Sequence, residues 1–289
     1  MKALEIKGLT KSYGNFTLND VSFNLETGFI MGFIGPNGAG KTTTIKSILN
    51  LIKPEKGEIY ILGKKFIDNE IELKQLVGYT IGNSSFYQRS KVKTITNIIK
   101  SFYSFWDNNV YEDYIRKFSI DENKKITELS EGMKIKYQLA IAMSHGAKLL
   151  ILDEPTSGLD PVARDGLLEI FQHLVMNGEV SILFSTHITS DLEKCADYIT
   201  FINQGKLIKS EDKDTFIDSY KIIQGSLPIP DKYKTNMISF KITPYGFTGL
   251  IETNKLPLDW SLIDKDMEIS KPNLEQIMIY HSKGEVTNV

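Results

Sequence analysis

The segment Gly35-Pro36-Asn37-Gly38-Ala39-Gly40-Lys41-Thr42 follows the pattern G-x-x-x-x-G-K-[ST], and few motifs restrict a fold more tightly. A loop of this kind works only between a buried strand and the first turn of a helix. Phe29–Ile34 supplies the apolar strand. Lys41–Ile52 reads as the helix, stopped at Lys53-Pro54, where proline disfavours a helical conformation in the residue before it. Glycines let the backbone wrap an anion with its N–H groups turned inward. The helix that follows adds the positive end of its dipole. Lys41 is then expected at the β- and γ-phosphates of a nucleotide, and the Thr42 hydroxyl on Mg²⁺. Gly35, Asn37, Gly38, Gly40 and Thr43 complete the predicted cradle.

Alternating β-type runs and turn residues precede the loop, at Ala3–Lys7, Phe16–Leu25 and Phe29–Ile34. Further strands are predicted at Gly57–Gly63 and Leu76–Ile81. From about residue 86 to 145 the pattern is helical, with apolar residues at helical spacing in Thr94–Trp106, Val110–Phe118 and Glu131–Ser144. β character returns at Lys148–Leu152, Val180–Ser185 and Tyr198–Asn203, with a helix at Pro161–Met176. Strands separated by helices predict a parallel sheet covered on both faces, so the helical block reads as an insertion in an α/β core. Residues 211–289 read as a small α+β appendage, with strands at Tyr220–Ile223, Met237–Thr243, Gly249–Glu252 and Met267–Ser270 and a helix at Asn273–His281.

The run Leu149–Leu152 leads into Asp153 and Glu154. A buried strand ending in a carboxylate suits Asp153 as the Mg²⁺ partner in the Walker B role, and Glu154 is placed to polarise an attacking water. Whole-chain composition narrows the partners. A formal charge of −2 offers no bulk attraction for nucleic acid or anionic lipid. The four histidines (145, 173, 187 and 281) have no metal-ligand spacing. A single thiol, Cys195, makes no internal disulfide, which suits a reducing compartment, and it reads as a packing residue. No segment approaches the roughly 20 apolar residues needed to span a bilayer, so any membrane-spanning part belongs to another chain.

With these residues in order, the sequence resembles the ATP-binding subunits of ABC transporters. Leu129-Ser130-Glu131-Gly132 is similar to the family's signature sequence, opening a helix just before Walker B. The resemblance implies that Ser130 and Gly132 serve the ATP held by a facing subunit, so that two subunits sandwich two nucleotides. Ser157-Gly158-Leu159-Asp160 looks like the D-loop, which puts Asp160 on the dimer seam. His187 matches the switch histidine that senses the γ-phosphate, and Tyr13 the aromatic that stacks on adenine. The expected fold is a P-loop NTPase core with an N-terminal antiparallel β region, an inserted helical subdomain and the C-terminal α+β appendage.

The sequence also departs from the family. A glutamine is usual after the strand ending at Ile81; this chain has Gly82, then Asn83, whose amide oxygen is an alternative metal ligand, while Gln88 lies too far along. Glu131 and Met133 replace the common glycine and glutamine of the signature. The stretch Phe102–Asp107, with Tyr111, Phe118 and the closing Pro272–Met278, looks like a Gram-positive branch paired with permeases that export peptides or confer antibiotic resistance. Implied partners are a transmembrane permease and a second ATP-binding subunit, identical or related, at the inner face of the plasma membrane, with no nucleic acid. Two other readings stay open at this point: a soluble ABC ATPase outside transport, and a regulatory nucleotide-binding module that hydrolyses little. The appendage reads as a dimer-stabilising or regulatory unit, or as a cover for a sheet edge.

Overall fold

The computed structural model describes residues 1–81, 89–256, 266–282 and 287–288. The chain opens on a hairpin, β1 (Lys2–Tyr13) and β2 (Phe16–Glu26), and then enters β3 (Ile30–Ile34), every residue of which is buried. The glycine-rich loop leads into α1 (Lys41–Ile48), followed by β4 (Lys56–Ile61), β5 (Lys64–Lys65), α2 (Glu70–Lys74) and β6 (Val77–Ile81). Three helices come next: α3 (Val92–Lys100), α4 (Asn108–Lys117) and α5 (Glu131–Ser144). The chain then returns through β7 (Leu149–Asp153), α6 (Pro161–Val175), β8 (Ser181–Thr186), α7 (Thr189–Cys195), β9 (Tyr198–Asn203) and β10 (Lys206–Asp212).

The main sheet has the order β10-β9-β3-β8-β7-β6, parallel except for its edge strand β10. Its period-2 alternation sorts side chains onto two buried faces. Met31, Phe33, Ile151 and Leu183 face the antiparallel sheet β2-β1-β4-β5 and α1. Ile30, Ile34, Leu150, Leu152, Ile182 and Phe184 face the helical side with α5, α6 and α7. Each fully buried side chain of this kind stabilises the fold by about 2 kcal/mol, an upper figure for an extended unfolded chain. The three helices α3–α5 are inserted between β6 and β7, which pair directly through Val77 and Leu149.

The C-terminal unit holds α8 (Lys213–Asp218), β11 (Tyr220–Gly225), α9 (Asp231–Lys234), β12 (Met237–Thr243), β13 (Gly246–Glu252), β14 (Met267–Ser270) and α10 (Leu274–Ser282). Its strands form an antiparallel sheet in the order β14-β11-β13-β12, with Thr287–Asn288 added parallel to β12. One face of this sheet packs on a small core of Ile223, Tyr233, Phe247 and Ile251. The other, through Ile222 and Leu250, joins Phe216, Leu274 and Ile277 in the same cluster as the helical face of the ATPase core. The main sheet runs through β10 to Asp212, past the expected boundary at 210.

Two helices end earlier than the sequence predicts. α1 stops at Ile48 because Asn50 takes a left-handed conformation and the amides of Asn50 and Leu51 fold back onto Ser47 and Lys46 carbonyls; the proline is not what ends it. The helix expected to reach Trp106 ends at Lys100. There the Gln75 amide donates to the Phe102 carbonyl and accepts from the Ser104 N–H, both at 2.9 Å, and Tyr103 stacks on His145 at 3.8 Å. A distant side chain outbids the local apolar spacing.

Candidate nucleotide site

β3 delivers the glycine-rich loop to the carboxyl end of the parallel strands, where ligands of open α/β sheets bind. Two glycines are required by close approach. A side chain at Gly35 would drive into the Ile202 carbonyl, and at Gly40, which has φ 113°, into the ring of Phe16. The loop is also tied to the β9–β10 turn by Gly205 N–H donating to the Ala39 carbonyl at 2.9 Å. Lys41, only 7% exposed, donates from Nζ to the Gly35 carbonyl at 2.8 Å.

Parallel pairing of β7 with β8 sets Asp153 opposite Ser185. Both carboxylate oxygens of Asp153 are engaged: the Thr42 hydroxyl donates to Oδ2 at 2.9 Å and the Ser185 hydroxyl to Oδ1 at 2.6 Å. Ser185 Oγ in turn accepts from Glu154 N–H at 2.9 Å. Glu154 itself has φ 51°, an uncommon conformation for a residue with a side chain and one found at sites that hold strain for function. The turn aims its carboxylate between an ammonium and an imidazole. Oε1 lies 3.6 Å from Lys41 Nζ, and Oε2 is 2.7 Å from His187 Nδ1.

Lys41, Thr42, Glu154 and His187 line a cleft of about 650 Å³. Its lining also takes in Asn37–Gly40 and Thr43 of the loop, with Ser157, Tyr13 and Phe16. Tyr13 closes β1, 42% exposed, with Lys11 Nζ 5.3 Å from its ring centroid. Ser130 and Gly132 are not among the lining residues. Ser130 caps α5 by accepting the Met133 N–H at 3.2 Å, and Gly132 sits in that helix's first turn. Asp160 caps α6 in the same manner, accepting from Val162 and Ala163 at 3.0 Å. Gly82 and Asn83, with Gln88, lie outside the described residues. Cys195 is buried, and burial pushes its thiol up to about 12, which suits the packing role.

Sequence reasoning missed Ser185 and Phe16. Ser185 becomes visible only through the β7–β8 register. Phe16 sits across the hairpin from Tyr13, so the pairing of the first two strands would have exposed it.

A glycine-lined loop at the carboxyl end of a parallel sheet, followed by a lysine and a hydroxyl paired to a strand-end aspartate, defines a P-loop nucleotide-binding domain. The sequence profile of the ABC transporter family matches residues 18–157. The bacitracin transport ATP-binding protein of Bacillus licheniformis is 35% identical over 204 residues, covering 70% of this chain and 67% of that protein. An ABC transporter ATP-binding protein of Bacillus subtilis (strain 168) aligns over 288 residues at 29% identity, 97% of this chain and 91% of the relative. A solved ATP-binding subunit of an ABC transporter superposes with a TM-score of 0.66 at 30% identity, covering 74% of this chain and 91% of the other. The chain belongs to the ATP-binding subunits of ABC transporters, a family that hydrolyses ATP. No helix among the described residues is long and apolar enough to cross a membrane.

Proposed function

We propose that this protein powers export of a peptide, antibiotic or similarly amphipathic cargo through a separate permease, by ATP-driven closure of two such subunits. The observation that carries the reading is the triad of Lys41, Glu154 and His187 above the Thr42–Asp153 pair. Hard oxygen donors at Thr42 and Asp153 fit Mg²⁺, which takes one or two carboxylates plus phosphate oxygens rather than a cage of three or more acidic side chains. Mg²⁺ there would neutralise charge on the β- and γ-phosphates. Lys41 would leave its loop carbonyl for the phosphates, Glu154 would orient and deprotonate the water, and His187 would hold Glu154 and read the γ-phosphate. Asn37, Gly38, Gly40 and Thr43 line the phosphate cradle, and Tyr13 offers a ring to the base.

Ser130 and Gly132 lie outside the cleft at a helix N-terminus, and Asp160 lies at another. This arrangement supports their service to a facing subunit, since a helix start favours a phosphate. ATP drives closure only as far as it prefers the closed pair. The peptide or antibiotic class of cargo draws on the bacitracin transport relative, and the export direction on the resemblance of Phe102–Asp107 and Pro272–Met278 to the export branch. A permease contact is supported by the exposed Ile98, Phe102 and Phe105 on the inserted subdomain. The C-terminal unit we read as dimer-stabilising or regulatory, and the protein as peripheral on the inner membrane face.

The test is Glu154→Gln. Without its base the site is expected to lose at least about 10²-fold in kcat while retaining ATP, and to accumulate an ATP-bound dimer on gel filtration. Turnover equal to wild type would overturn the assignment.

A further inference from the structure

Buried polar side-chain atoms almost always find a partner. Among the described residues, two that do not are Arg164 Nε and Asp191 Oδ2, on side chains that approach each other across α6 and α7. Asp191 is 1% exposed, in the first turn of α7 and four residues beyond His187. Arg164 is in the first turn of α6, its N–H donating to the Asp160 carbonyl at 3.0 Å. Its Nε stands 4.0 Å from Asp191 Oδ1, while Nη2 donates to the Leu159 carbonyl at 3.4 Å. An arginine fork can make two parallel bonds to a carboxylate at about 2.8 Å. This fork is therefore short of its partner by about 1 Å.

The guanidinium lies between two functional segments. On one side is Leu159, next to Asp160 and against the signature helix: a Cβ added to Gly132 would touch Leu159 Cδ2 at 3.5 Å and Ala163 at 3.9 Å. On the other is α7, which begins directly after the loop that carries His187. A shift of the Leu159–Asp160 loop moves the fork, and the fork pulls on the helix that anchors His187.

We propose that Arg164 and Asp191 are positioning residues: an incompletely made ion pair that closes when the loop at Asp160 meets a second subunit, and thereby holds α7 in the place that keeps His187 on Glu154, a contact of 2.7 Å already made while the pair is open. The proposal rests on the composite-site reading above. It makes each subunit's hydrolysis depend on closure at the seam, through a contact that touches neither nucleotide nor metal.

The experiment compares kcat, KM for ATP and Tm in Arg164→Leu, Asp191→Leu, the double variant and Arg164→Lys. Arg164→Leu leaves the buried Asp191 carboxylate alone, so Tm falls, and Asp191→Leu, which leaves a partly exposed guanidinium, costs less. The double variant removes both charges and recovers Tm. If the pair positions His187, kcat stays about tenfold down in the double variant with KM within about twofold, the pattern of an interaction made only on the way to the transition state. Arg164→Lys keeps the charge without the fork; it is expected to fold and to share the loss of kcat. Lys194→Ala breaks the exposed 2.6 Å pair with Asp165 that joins the same two helices and should leave kcat at the wild-type value. Recovery of kcat along with Tm in the double variant, or full kcat in Arg164→Lys, would overturn the proposal. Absence of turnover in the wild-type protein, or an unaffected Glu154→Gln, would instead remove the reading beneath it.

Discussion

Two histidines mark two regions of the molecule, and they differ in every physical respect. His187 is 46% exposed at the rim of the nucleotide cleft, with Nδ1 2.7 Å from a carboxylate. His281 lies at the joint between the ATPase core and the C-terminal unit, edge-on to Phe201 and Tyr220 at 5.1 and 5.4 Å, with Nε2 buried and without a partner. The first ring is placed to share a hydrogen bond, because a carboxylate faces it. The second is kept neutral, because burial penalises its cation and nothing compensates; its pKa is pushed down to about 4. Only its backbone is polar to its surroundings, the carbonyl accepting from Asn203 Nδ2 at 2.9 Å. The contrast separates a part of the protein built to do chemistry from a part built to hold.

Replacing His187 breaks the comparison at its active end. His187→Ala leaves Glu154 with Lys41 alone and is expected to lower kcat by about 10²-fold. KM for ATP should change little, since the phosphate loop is intact. Steady-state hydrolysis at saturating Mg·ATP measures it, and kcat within a factor of two of wild type would make the 2.7 Å contact incidental.

The joint should respond to acid where the cleft does not depend on it. A histidine whose folded pKa lies below its unfolded value contributes full stability above about pH 6.5, the unfolded value. As pH falls from there toward 4, the unfolded chain takes a proton that the folded chain refuses, and stability is lost. The loss over that window is about 1–3 kcal/mol. His145 shifts in the same direction through its own burial, so it adds to the slope. Comparing Tm between pH 7 and pH 5 in wild type and His281→Leu isolates the joint. Leucine should flatten part of the slope without costing stability at pH 7, since no hydrogen bond of the ring is lost. An identical slope in both proteins would show that His281 is not the acid-sensitive group.

How much of this was readable in the sequence follows from distance along the chain. Lys41, Thr42, Asp153 and Glu154 stood out because each is fixed by local geometry, a glycine turn, the end of an apolar strand or the start of a helix, whereas His187 stood out only through the family resemblance. The inserted helices and the parallel core were legible from periodicity. Ser185 was not, because its role comes from the register of two strands brought together by a crossover. The early end of α3 was hidden for the same reason, with Gln75, His145 and Tyr103 meeting from three segments. α7 and α8 are too short, at 7 and 6 residues, to show a helical period. The shared core beneath the C-terminal unit was invisible too, since no local pattern says what a strand's second face will meet.

The comparison extends from the two rings to the aromatics beside them. Tyr220, 1% exposed and packed on His281, has every face committed to protein, and burial raises its hydroxyl far above the ordinary tyrosine value. Tyr13, 42% exposed, lines the cleft together with Phe16 and is approached by Lys11. An aromatic with an open face at the mouth of a nucleotide site contributes by stacking, and stacking tolerates any base. Tyr13→Ala should therefore raise KM for ATP by about fivefold, the low end of about 1–3 kcal/mol per stacked base, because solvent competes for a half-open ring. Tyr13→Trp should restore or improve affinity, and kcat should stay level in both. Titration with ATP and with GTP distinguishes stacking from base recognition: the alanine variant should lose affinity for the two alike. A loss confined to ATP would mean that the Tyr13 hydroxyl reads the base edge, which would make this ring a selective contact and set it further from Tyr220 than packing alone does.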